Sequence, residues 1–229
     1  MKLDVTATRS QMQICETLHK KTMTHDALNL GLLPVEHSGK YGMPELHAPA
    51  IAVAEEMIPF NLAKTSKRKD VGVHFYIDDY QFERVWKSPQ RYINMLKGFS
   101  FVLSPDFSVY HDVPLAVRIW NVYRSRLIAR CWQDEGIPVI PSLQWADRST
   151  YKFCFNGIEQ GGMVSVSTLG AAKGKEALKL WQDGMREAIK RIHPSTILLY
   201  GVPIDFDFGN ISILHYNNTT IKRMEQYGR

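Results

Sequence analysis

The chain has 229 residues, 45% of them hydrophobic and 22% charged, with a formal net charge of +5 and a pI near 9.0. That length suits one well-buried core with a small appendage rather than two full domains, and the composition excludes a disordered or membrane-embedded chain. No apolar run approaches the roughly 20 residues that cross a bilayer, and Lys2, Asp4, Arg9 and Glu16 interrupt any leader-like stretch at the start, so a cytosolic protein without a membrane partner is expected.

Residues 1–50 carry Gly31, Pro34, Gly39, Gly42, Pro44 and Pro49 and little periodicity, which predicts an irregular extension with a short helix over 10–21. Residues 51–229 then form a single domain. Residues 49–60 read as a short helix or an edge element. From Val71 the pattern sharpens. Residues 73–77 form a buried strand closed by Asp78 and Asp79, and 80–97 is helical, with Phe82, Val85, Trp86, Tyr92, Ile93 and Leu96 on one face and Pro89 splitting it. Residues 99–103 are the next strand, ending in Ser104-Pro105-Asp106. A long helix over 114–135 starts at Pro114, stops at Gly136, and shows Leu115, Ile119, Val122, Leu127 and Cys131 along a face. Strand 137–143 follows and ends in Gln144-Trp145-Ala146-Asp147. Strand 163–166, helix 176–192, strand 196–200 and strand 211–216 complete the chain.

Strands alternating with helices, and apolar almost throughout, predict an α/β fold: a mostly parallel sheet of about six strands with helices on both faces, either open and doubly wound or an incomplete (β/α) barrel. The three cysteines, Cys15, Cys131 and Cys154, are too scattered for a disulfide framework or a closed zinc site, and Cys131, in a helical pattern, and Cys154, in a strand-like one, read as small buried hydrophobes.

In either architecture ligands bind beyond the carboxyl ends of parallel strands. That rule selects Asp78 and Asp79, Ser104 and Asp106, Gln144, Trp145 and Asp147, Ser167 and Thr168, and Tyr200. Asp, Ser and Thr also cap helices, which is the plainer use of each taken singly; Gln144, Trp145 and Tyr200 have no such role.

The stretch Gly72-Val73-His74-Phe75-Tyr76-Ile77-Asp78-Asp79-Tyr80-Gln81-Phe82-Glu83-Arg84-Val85-Trp86, with Ser104-Pro105-Asp106-Phe107-Ser108, the helix segment Ile119-Trp120-Asn121-Val122-Tyr123-Arg124-Ser125-Arg126 and Gly136-Ile137-Pro138-Val139-Ile140-Pro141, resembles a family described only as a domain of unknown function. Its members are encoded by phages, prophages and mobile elements, chiefly of Gram-positive bacteria. The resemblance covers about residues 55–201. It implies a bacterial host cytosol as the setting and carries over no catalytic residue.

Several uses of the strand ends stay open. A phosphate-bearing ligand, a nucleotide or nucleic acid, suits Ser167, Thr168 and Gly170 at the start of a helix, with Arg124 as the nearest expected basic partner and Asn121 three residues before it on the same face. Residues 170–176, Gly-Ala-Ala-Lys-Gly-Lys-Glu, look like a P-loop but are one residue short, with Glu176 where a Ser or Thr would meet magnesium. Asp78, Asp79 and Asp106 are the catalytic candidates, either bridged by magnesium or divided into a protonated and an ionised acid for hydrolysis. His74, His193 and His215 form no metal pattern. The alternative class is a DNA-binding protein of element replication or maintenance, using Lys64, Lys67, Arg68 and Lys69 together with Lys222, Arg223 and Arg229. An inhibitor of a host defence protein is the third.

Overall fold

Apolar runs too short to be helices, each followed by a turn and a helical segment, dictate parallel strands joined by crossovers. A computed structural model describes residues 23–34 and 36–218. It contains eight such strands: β1 (Met57–Pro59), β2 (Gly72–His74), β3 (Phe101–Leu103), β4 (Val139–Ile140), β5 (Ser142–Leu143), β6 (Met163–Ser167), β7 (Thr196–Tyr200) and β8 (Ser212–Tyr216). Two long helices accompany them, α1 (Leu115–Asp134) and α2 (Lys175–Ile192). The helix expected over 10–21, Cys15 and the basic residues of the C-terminal tail lie outside the described residues.

The strands form two open, four-stranded, wholly parallel sheets, ordered β1-β2-β3-β4 and β5-β6-β7-β8. Strand order follows chain order without reversal, as in an incomplete barrel. Pro141, between β4 and β5, marks the change of sheet. It has no N–H for a ladder, and its carbonyl accepts from Ser165 N on β6 at 2.8 Å, while Ser104 N donates to Ile140 O at 3.0 Å on the β3 side. The predicted strand 137–143 is therefore two strands. β1, at the edge of its sheet, is the edge element offered for residues 49–60.

One apolar cluster draws on both sheets: Met57, Tyr76, Phe101, Leu103, Ile140, Leu198, Tyr200 and Tyr216. Tyr216, at the end of β8, donates its hydroxyl to Ala54 O just before β1, at 2.6 Å. The two sheets thus curl around a shared interior, and Gly72 allows β2 to approach β3 where a Cβ would collide with the Phe101 ring. Two further clusters pack outside. The first gathers Phe75, Phe82, Leu127, Ile128 and Trp132, and the second gathers Val122, Phe153, Trp181, Met185 and Ile197. Burying each such side chain contributes roughly 1.5–3 kcal/mol.

α1 contributes to both outer clusters, so its stretch 121–132 is buried or half-buried throughout, with Arg124 and Arg126 among the buried residues. Leu115, expected on its apolar face, is instead exposed. α2 is amphipathic as expected, and a left-handed His193 (φ 48°) ends it. The predicted helix 80–97 is a chain of single turns, Asp79–Gln81, Arg84–Lys87, Pro89–Tyr92 and Ile93–Leu96, because Pro89 and an extended Ser88 break the hydrogen-bond ladder. Cys154 lies in a helical turn, Tyr151–Cys154, rather than a strand: Phe153 N and Cys154 N both donate to Thr150 O. Within 36–48, a small hairpin pairs His37–Ser38 with Met43–Pro44, and Met43 and Leu46 are buried against the domain. No helix among the described residues is long and apolar enough to cross a membrane.

Candidate functional site

The carboxyl ends of β2, β3, β5 and β6 open into a cleft of about 440 Å³. Asp78, Asp106, Gln144, Trp145, Ser167 and Gly170 from the predicted set line it, joined by Tyr76, Ser108, His111, Lys173 and Trp181. These residues share the cleft because each parallel strand releases its next residues at the same edge.

Asp106 is the electrostatic centre of this cleft. The residue is half-buried, and its carboxyl is pushed up to about 7, first by burial and then by the neighbouring Asp79 carboxylate, while the Arg126 guanidinium pulls the other way. With its amide turned to satisfy both neighbours, Gln144 donates Nε2 to Asp106 Oδ1 at 2.8 Å and to Phe107 O at 2.9 Å. That fixes one carboxyl oxygen, and a donor there favours the ionised form and so opposes the burial that raises the group. Asp78 is exposed on the same cleft.

Asp79 has a different task. It accepts from Ser108 Oγ at 2.8 Å and from Ser108 N at 3.0 Å, clamping the loop after β3 to the turn after β2. Asn121 holds the same loop, donating Nδ2 to Ser108 O at 2.6 Å. Arg124 Nε donates to Asn121 Oδ1 at 3.0 Å, its Nη1 donates to Glu83 Oε1 at 2.6 Å, and its guanidinium stacks 3.6 Å from the Phe107 ring centroid. Asn121 and Arg124 thus form a buttress behind the cleft, with Glu83 as the arginine's carboxylate partner. The basic group that acts on Asp106 is Arg126. It is fully buried, donates to Cys154 O at 3.0 Å and Ser142 O at 3.4 Å, and leaves Nε without a partner. Burial lowers its pKa to about 10.

Asp147 is a capping and pairing residue: Oδ1 accepts from Ser149 N at 2.8 Å and Oδ2 from Arg118 at 3.1 Å, and these bonds lower its pKa. Thr168 is buried, with Oγ1 2.8 Å from Val202 O, and joins the loops after β6 and β7. Tyr200 lies in the interior, stacked on Tyr76 (centroids 5.0 Å) and tilted against His74 (4.5 Å), its hydroxyl donating to Asn218 Oδ1 at 3.3 Å. His74 is buried and held neutral, pushed down to about 3, and its Nε2 has no partner. Tyr76 N donates to its Nδ1 at 3.2 Å, which assigns the proton to Nε2.

Two tryptophans wall the cleft. Trp145 Nε1 donates to Leu180 O at 3.2 Å and Trp181 Nε1 to Ser167 O at 2.9 Å. Gly184 in α2 makes room for Trp145, since a Cβ there would strike the indole. The loop before α2 forms a single turn, Ala171–Lys173, and sends Lys173 to the cleft.

Lys64, Lys67, Arg68 and Lys69 precede β2 and so lie at the amino ends of the strands, opposite the cleft. Arg68 pairs with Glu56 and Asp70, and Lys69 Nζ sits 3.8 Å from the Phe99 ring centroid, leaving Lys64 and Lys67 as the unengaged charges of the cluster. Among the described residues no three His, Cys, Asp or Glu side chains stand together as a metal site.

A family model described as "Domain of unknown function (DUF4417)" matches residues 35–217. The chain belongs to this family. It is 38% identical over 179 residues to the Gene 1 protein of Mycobacterium phage L5, covering 77% of each chain. It is 37% identical over 179 residues to the Gene 1 protein of Mycobacterium phage D29, covering 77% of this chain and 66% of the relative. No solved structure matches it. The cleft and the Asp79, Asn121 and Arg124 buttress all lie within the matched residues.

Proposed function

We propose that this protein is a hydrolase of the bacterial host cytosol that binds a nucleotide in the Asp106 cleft and cleaves its glycosidic bond with Asp106 as general acid. The observation that carries the reading is a cleft carboxyl whose pKa is raised to about 7 while Gln144 orients it. An acid poised at the working pH gives and regains a proton with little driving force lost. Trp145 and Trp181 offer flat apolar surface to a base, and Lys173, beside the first turn of α2, offers charge to a phosphate.

In this reaction the Asp106 carboxyl protonates the leaving base as the sugar–base bond breaks. Water adds its oxygen to the sugar carbon, and the proton it releases goes to the Asp78 carboxylate and on to solvent. Asp106 is then reprotonated from solvent. The residues present support this division of acid and base more than a metal bridge, since among the described residues no three His, Cys, Asp or Glu side chains stand together as a metal site.

The test is a panel of nucleoside monophosphates, diphosphates and NAD, with base release followed by chromatography and binding followed by the indole resonances of Trp145 and Trp181. Expected is release from at least one nucleotide, abolished in Asp106→Asn with binding retained. Indole signals that ignore the whole panel overturn the proposal, as does turnover that survives Asp106→Asn. A stable complex with a host protein and no turnover replaces it with an inhibitor.

A further inference from the structure

Away from the cleft, the turn Tyr151–Cys154 and the outer face of α2 enclose a second groove, of about 440 Å³. None of its lining residues lines the cleft. Arg148 and Lys152 stand on one wall, and Arg186, Lys190 and Arg191 on the other. The two carboxylates in the groove are already engaged: Arg186 Nη1 lies 2.9 Å from Asp183 Oδ1, and Arg191 Nε lies 2.6 Å from Glu187 Oε1. Arg191 also donates Nη1 to Tyr151 O at 3.0 Å, tying the walls together. Arg148, Lys152 and Lys190 have no ion-pair partner among the described residues.

Tyr151 supplies the second observation. The residue is 7% exposed, its hydroxyl is buried, and that hydroxyl has no hydrogen-bond partner. It lies within the electrostatic reach of Asp183, Arg148 and Glu187, all groove residues, and burial followed by the Asp183 charge raises its pKa. It is therefore a protonated phenol on a residue that lines the groove, a donor with no acceptor supplied by the chain itself. Buried donors are almost always satisfied, so an acceptor from outside the chain, a water or a ligand oxygen, completes this one.

We propose that this groove is a phosphate site, with the Tyr151 hydroxyl donating to a phosphate oxygen and Arg148, Lys152 and Lys190 meeting the charge. Three uncompensated cations on two walls exceed what one phosphate requires, and the groove is open along α2, so successive phosphodiesters of a single nucleic-acid strand fit it better than an isolated phosphate. The proposal is independent of the reaction at Asp106.

The experiment uses the full chain, a fluorescent single-stranded 12-nucleotide DNA and inorganic phosphate. Anisotropy titrations at several salt concentrations read affinity and its salt slope. On a single strand each phosphate contact contributes about 0.7 to the slope, so three contacts give roughly −2. Expected are a five- to tenfold weaker affinity with an unchanged slope for Tyr151→Phe, which removes a neutral donor, and a slope shallower by about 0.7 for Lys190→Gln. Thermal melts of both variants verify folding. Protection of the Lys190 amine from acetylation by the DNA assigns the site to phosphodiesters. Protection by millimolar phosphate alone assigns it to a single phosphate. DNA affinity and slope unchanged in both variants, together with no protection by either ligand, overturn the site.

Discussion

Replacing Asp106 with Asn tests whether the cleft carboxyl is held against its own preference. An acid whose pKa is about 7 in the folded chain, against an ordinary value of 3.8, destabilises the fold by an amount that grows while the unfolded chain is ionised and the folded chain is not, and that persists in full at higher pH. Below pH 3.8 both states are protonated and the cost vanishes. As pH rises from 3.8 to about 7 the unfolded chain loses the proton first, and stability falls by about 1.4 kcal/mol per unit before levelling off. Three units give a ceiling of about 4 kcal/mol. Because Asp106 lines the open cleft, water screens part of this cost, and about 2–3 kcal/mol is the expected size. Asn keeps an oxygen to accept from Gln144 and carries no charge. Urea denaturation at half-unit steps from pH 4 to 8.5 should therefore show the two proteins equal near pH 4 and the variant more stable by about 2–3 kcal/mol at pH 8. Parallel pH profiles, or a variant less stable at pH 8, would refute the assignment of Asp106 as a strained acid.

Three other outcomes follow from the same contacts. Arg126→Met removes the cation that opposes burial at Asp106, so a carboxyl-carbon NMR titration should place the Asp106 midpoint above its wild-type value; an unchanged or lower midpoint contradicts the link. Gly184→Ala drives a methyl into the Trp145 indole and should cost about 1–3 kcal/mol by overpacking, with a shifted indole resonance as the local signature. Burial raises the thiols of Cys131 and Cys154 to about 11 and about 12, so in a Cys15→Ser background neither should react with a disulfide reagent at pH 8 until denaturant is added.

The strands were legible because parallel strands buried on both faces are short apolar runs bounded by turn residues, and six of the observed positions follow from that alone. β1 is the edge element that residues 49–60 offered as an alternative to a short helix, and the choice stayed open since Met57, Ile58 and Pro59 are too few to show a period. The division of 137–143 was written in Pro141, whose missing N–H interrupts a ladder, but a proline near the middle of an apolar run does not say that the chain changes sheet there. Around Cys154 the alternation of Tyr151, Phe153 and Phe155 imitates a strand, whereas Thr150 and Asp147 organise a helical turn. Asp106 and Gln144 were selected by position at strand ends. Their pairing was not, because it depends on β3 and β5 flanking the same sheet junction.

The two arginines of α1 show most clearly where pattern reading stops. Positions two apart on a helix point about 200° apart, so Arg124 and Arg126 must serve different neighbours. A helix with one wet face would reveal which of them is internal, by burying one and solvating the other. α1 has no exposed residue over 121–132: Arg124 meets Glu83 and Phe107 on one side, while Arg126 meets Ser142 O and Cys154 O on the other. The sequence offers the same residue type twice in a run with no exposed residue. Only the placement of the β5 end and the Cys154 turn against α1 decides that the second arginine, and not the first, sets the charge beneath Asp106.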